Sequence, residues 1–187
     1  MSPVSNEYIL YTLAQVATTL AGFSGLVVVF RVRGAQAWSR AELRTFWFLL
    51  GDSFLVLFFS LLPIPLALAN WSQDVLWGLC NALLGSWFVV GDVLAFLGER
   101  KGRVLRQVTI VPVITPVLYC MSAIAPLMAV ALCLSAFDCI VRRGQAIFVL
   151  GLIVLLMYAA FEFLFFIGLM SQQGRHVQTQ GEARFLD

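Results

Sequence analysis

Three carboxylates stand inside long apolar runs: Asp52 in WFLLGD, Asp92 in WFVVGD and Glu162 in YAAFEFLFF. A carboxylate that is charged and faces lipid is expensive, so each should face protein, water or a cation. Carboxyl groups gathered at one site cannot all ionise cheaply in a low dielectric, and a group held this way can bind a cation or relay a proton. Asp52 lies eight residues after Arg44, and Asp92 lies eight residues before Arg100. At a rise of ~1.5 Å per residue, both acids fall roughly 12 Å inside their basic boundaries. Glu162, about nine residues from the end of its own run, falls on the order of 13 Å in. If the runs cross a membrane in alternating directions, all three acids reach one level in its cytoplasmic half. The flanks of the two WF-x-x-GD stretches do not match, which favours coincidence over duplication.

Neighbouring residues extend these positions into faces. Gly78, Asn81, Gly85 and Asp92 fall within about 60° of one another at 100° per residue, and Gly151, Tyr158 and Glu162 share a face by the same rule. Asn81 therefore joins Asp52, Asp92 and Glu162 as a candidate for ion binding or proton relay. Glycine on such a face lets another helix, or a hydrated ion, approach the backbone closely. The broadest polar face is nearer the N-terminus, where Thr12, Ala14, Gln15, Thr18, Thr19, Gly22 and Gly25 cover about 160° of a helix. Ala14, Thr18 and Gly22 form a ladder of small residues four apart, suited to close helix packing in lipid. The face packs within the subunit or an oligomer, or else lines a pore, with Gln15, Thr18 and Thr19 as polar rungs. The acids have a structural reading as well. A protonated carboxyl bonded to a backbone carbonyl, or one paired with Arg31 or Arg44, would only hold the bundle together.

The elements that must position these residues are long helices. Of the 187 residues, 61% are hydrophobic and 12% charged, with a mean hydropathy of +0.92, far from a soluble composition. Runs of twenty or more apolar residues recur, each able to cross a hydrocarbon core about 30 Å thick. The expectation is an all-α polytopic membrane bundle of five spans, near residues 8–30, 45–69, 75–97, 108–137 and 146–170. Residues 1–170 then form the transmembrane domain and 171–187 a polar cytoplasmic tail, partly disordered. Pro112, Pro116 and Pro126 fall in the fourth run, where a lost backbone donor predicts a kink.

Arginine sets the orientation. Arg31, Arg33, Arg40 and Arg44 occupy one loop, Arg100, Lys101, Arg103 and Arg106 another, and NWSQD between them has no basic residue. Both basic loops should be cytoplasmic, placing the N-terminus outside and the tail inside. Arg142 and Arg143 in DCIVRRG oppose this for the last two spans. Tyr8, Tyr11, Trp71 and Trp77 mark the outer interface, and Trp38 and Trp47 the inner one. Trp87 is deeper and should pack, while the FEFLFF run should face lipid around Glu162. The start MSPVSNEYIL lacks a basic region and a cleavage site, so it reads as the beginning of the first span.

The order LAQVATTLAGFSGLVVVFR, then W-S-R-x-x-L-R, then F-S-L-L-P, then a tryptophan opening the next span, resembles a family of small multi-span bacterial membrane proteins. The resemblance covers about residues 10–90 and implies bacterial origin and membrane location only.

Several classes are disfavoured. No basic stripe suited to nucleic acid runs along any element. Cys80, Cys120, Cys133 and Cys139 include no C-x-x-C pair, and His176 is the only histidine, which speaks against common zinc and haem sites. No cofactor is expected, and carboxylates alone are weak evidence for an enzyme. The function expected is a homo-oligomeric ion channel or ion-permeation module in the bacterial inner membrane. The alternative is a non-conducting accessory subunit of a larger membrane complex. Partners would be the lipid bilayer and either further copies or another membrane protein.

Overall fold

The computed structural model describes residues 4–33, 40–69, 71–100, 114–137 and 144–184. These are almost wholly helical, with no strand among them. The helices are α1 (Val4–Arg33), α2 (Arg40–Leu61), α3 (Pro63–Leu68), α4 (Gln73–Arg100), α5 (Ile114–Ala136) and α6 (Gly144–Arg184). Four stretches are long and apolar enough to cross a membrane: Tyr8–Val29, Leu43–Leu68, Gln73–Leu94 and Gly144–Gly168. The chain is an all-α, multi-pass membrane protein. The fourth expected run is represented by α5, whose apolar described part is Ala123–Ala136. Residues 108–113, including Pro112, lie outside the described residues.

α5 runs through Pro126 to Ala136, and the second span is interrupted at Leu62. Pro63 opens α3 and Pro65 follows. Neither ring nitrogen can donate, so the helical bonds that would reach the carbonyls of Phe59 and Leu61 are missing. Leu62 keeps helical dihedrals (φ −55°, ψ −39°). α3 ends at Ala69, whose N–H donates to Leu66 O at 3.2 Å. Ser72 then starts α4: its carbonyl accepts from Leu76 N at 3.0 Å, and its hydroxyl oxygen accepts from Val75 N at 3.5 Å. Asp74 in the first turn complements the positive end of the helix dipole.

The chain forms two compact units. The first comprises residues 1–60 and 153–187, which supply α1, most of α2 and the second part of α6. Its buried residues include Leu10, Leu13, Ala14, Ala17 and Ser24 on α1. Leu49, Ser53, Val56, Phe59 and Ser60 are buried on α2, and Leu155, Ala159 and Phe166 on α6. On each helix the spacing is three or four residues with multiples, the signature of one inward face. The rings of Phe46 and Phe166 stand 6.1 Å apart, tying α2 to α6 within this unit.

The second unit, residues 61–152, holds α3, α4, α5 and the first part of α6. α4 packs against α5 and α3. In lipid, the tails are as apolar as leucine, so close contact between helices replaces hydrophobic drive. Glycine supplies that closeness. A Cβ on Gly85 would lie 3.2 Å from Leu132 Cβ and 3.3 Å from Cys133 Sγ; one on Gly151 would lie 2.9 Å from Leu84 Cδ2.

Candidate functional site

α2 and α6 bring two of the three expected acids into the first unit. Asp52 and Glu162 are both half-buried. Oε2 of Glu162 is fully buried and receives no hydrogen bond from any described residue. Ala159 and Phe166, one turn either side of Glu162 on α6, are wholly buried, so this carboxylate projects from a face that otherwise packs. Among the described residues, neither acid meets a basic side chain. Arg44, one of the proposed structural partners, is exposed and sits 5.3 Å over the Phe48 ring. The other, Arg31, lies in a stretch whose side chains are outside the described residues.

The first unit's serine and threonine hydroxyls include two contrasting groups. Thr12, Thr18 and Thr19 on α1 each donate to the carbonyl four residues earlier, at 2.8 Å. Ser24 donates to Ala21 O at 2.7 Å. Such back-bonding satisfies a hydroxyl within its own helix, and it lets the three threonines remain on an exposed face. Ser53 and Ser60 behave differently. Both are 1% exposed, and neither hydroxyl has a partner among the described residues. They share the inward face of α2 with Leu49 and Val56, and Ser53 directly follows Asp52.

Asp92 belongs to the second unit. It is half-buried on α4, beside Gly91, whose surroundings are open. Asn81 is in the same unit and fully buried. Its Nδ2 donates to Gly144 O at 2.9 Å and to Ser135 Oγ at 3.2 Å, linking α4 to the end of α5 and the start of α6. Oδ1 of Asn81 has no partner among the described residues. The fit at Gly144 is close: a Cβ there would come within 3.2 Å of both Asn81 Nδ2 and Trp77 Cβ. Trp77 packs on Phe148 at 5.9 Å between centroids and donates from Nε1 to Gln73 Oε1 at 3.1 Å.

On α1, Gln15, Thr18, Thr19 and Gly22 are exposed and Gly25 is half-exposed. Nothing lies within 4 Å of a Cβ placed on Gly22 or Gly25. The ladder of small residues is split by its own geometry, because Ala14 faces inward at 6% exposure while Thr18 and Gly22 face outward. The first unit therefore does not cover this face with its own described residues.

One aromatic assignment is corrected: the FEFLFF run does not simply face lipid, since Phe166 at its end is wholly buried against Phe46. Trp87 is 42% exposed. The residues that sequence reasoning missed are Ser53 and Ser60. Their signal was the four- and three-residue spacing of Leu49, Ser53, Val56 and Ser60, which sets all four on one face. No protein-family model, curated protein or solved structure matches this chain.

Proposed function

We propose that the protein is a cation-permeation module of the bacterial inner membrane, with Asp52 and Glu162 as its ion-handling pair. One observation carries this reading: Glu162 holds a fully buried carboxylate oxygen with no described partner, in the unit that also holds Asp52. Two acids without a described basic partner are a costly way to fasten helices in lipid, where leucine and glycine already serve. They are suited to exchanging a positive charge with a bound ion.

A pore would form most naturally around the axis of a homo-oligomer, because one small subunit encloses little room. The uncovered face of Thr18, Thr19, Gly22 and Gly25 supports assembly through α1. That same face favours a second reading, in which α1 seats the protein against a larger membrane complex without conduction.

Reconstitution into liposomes separates the two. Under a cation gradient, the permeation reading expects flux from wild type, and loss of at least tenfold from Asp52→Asn and from Glu162→Gln. Asparagine and glutamine keep size and hydrogen bonding but cannot ionise. A wild type that passes no cation under any gradient leaves the accessory reading standing.

A further inference from the structure

We propose that the ion handled by Asp52 and Glu162 is the proton, and that the hydroxyls of Ser53 and Ser60 carry it along the inward face of α2 through intervening water. The inference rests on the permeation reading and narrows it to one ion.

The chemistry of the available oxygens selects the proton. A metal cation must replace its hydration shell with several oxygens, typically six or more for calcium and near-octahedral geometry for magnesium. The described residues contain no cluster of three or more His, Cys, Asp or Glu side chains able to hold a metal ion. Around the two serines the same face offers Leu49, Val56 and Phe59, which have no side-chain oxygen. A proton asks for less: an acid that can take it up, then a chain of groups that both accept and donate. A serine hydroxyl does both, whereas a leucine or glycine does neither.

The two serines also forgo a bond that the threonines and Ser24 of α1 make. Thr12, Thr18, Thr19 and Ser24 turn onto their own helix. Ser53 and Ser60 are more deeply buried than the threonines, where an unsatisfied hydroxyl costs most, yet their oxygens have no described partner. They lie seven residues apart on α2, two turns and about 10 Å along the axis. At an O···O spacing of about 2.8 Å, roughly three waters would join them. Near the outer serine, the carbonyl of Phe59 has lost its helical donor to Pro63, giving the chain of oxygens one more acceptor.

The transfer balances without any oxidant or reductant. Glu162 takes up a proton as its carboxylate becomes the acid, then releases it to water. Each hydroxyl or water along the path accepts a proton at oxygen while giving its own to the next, so every oxygen returns to its starting state. Asp52 lies beside Ser53 in the chain; it takes up the proton at that end of the track and passes it on to water, so it too returns to its starting state.

The test uses the full-length protein in liposomes containing a trapped pH-sensitive dye, with the membrane potential clamped by potassium and valinomycin. Wild type should collapse an imposed pH gradient. Ser53→Ala and Ser60→Ala should each slow this at least tenfold, while Ser60→Thr, which keeps a hydroxyl, should restore most of the rate. Thermal unfolding should show the alanine variants folded and cooperative like wild type, so that a lost rate is not a lost fold. Proton flux unchanged in the double alanine variant would overturn the path. Flux of sodium or potassium by wild type without proton flux would overturn the assignment of the ion while leaving permeation intact. No flux of any ion would remove both.

Discussion

Asn81 illustrates how much a single polar side chain can do in a lipid-facing bundle. Its amide nitrogen reaches α5 and α6 at once through Ser135 and Gly144, at a point where α5 ends and α6 begins. Bonds of this kind between membrane helices are worth about 0.6 to 2 kcal/mol each. Asn81→Leu should lower the unfolding temperature in detergent modestly. Asn81→Asp should lower it further, because a carboxylate oxygen replaces the donor and faces the Gly144 carbonyl. Equal melting of the two variants would show that the donor at this position does not matter. Asn81 was legible in the sequence as a polar residue on the glycine face of its helix. Its partners were not, since both lie more than fifty residues away and neither is charged.

At the scale of elements, helix existence was readable and helix facing was not. Apolar length fixed where α1, α2, α4 and α6 lie, because each must satisfy its backbone internally across the hydrocarbon. The inward face is harder, since a lipid-exposed surface is as apolar as a packed one: Phe54, Phe58, Leu127 and Leu164 are all more than half exposed. Glycine gives the contrast its clearest test. Gly151 is closed in by Leu84 and Leu132, whereas Gly22 has open space. Gly151→Leu should therefore destabilise the isolated subunit, by roughly 1 to 3 kcal/mol or more for overpacking. Gly22→Leu should leave subunit melting unchanged and weaken assembly, as read by mass in light scattering. Loss of subunit stability in Gly22→Leu would mean that the outward face is covered after all. The proline break also follows from chemistry visible in the sequence: both Pro112, Pro116 and Pro126 and the pair Pro63 and Pro65 were present. Only the second pair sits where two missing donors fall two residues apart.

For the whole molecule, the open matter is which way it crosses. The arginine counts predict that single cysteines at Ser5 and Ser72, in a background without the native cysteines, label with an impermeant reagent from outside. Cysteines at Gln36 and Gly102 should label only after the membrane is opened. Outside labelling at Gln36 would reverse the orientation and move Asp52 to the opposite leaflet. It would not alter the pairing of Asp52 with Glu162, which rests on α2 and α6 within one unit rather than on the direction of crossing. The expected common level with Asp92 depends on the spans alternating rather than on which way the first one crosses. The Asp52 and Glu162 variants test the site however the chain is oriented.

The helix α6 has 41 residues, and its apolar stretch ends at Gly168. The remaining sixteen residues to Arg184 continue the same helix for about 24 Å, nearly the thickness of the hydrocarbon itself. Glu162 stands six residues before that exit. On the reading that the apolar stretch marks the membrane, the acid sits near the fulcrum of a lever whose long arm is the polar end of α6. A tilt of 10° at the membrane surface would swing the far end of that arm by about 4 Å, so anything that grips the tail gains mechanical purchase on the carboxylate.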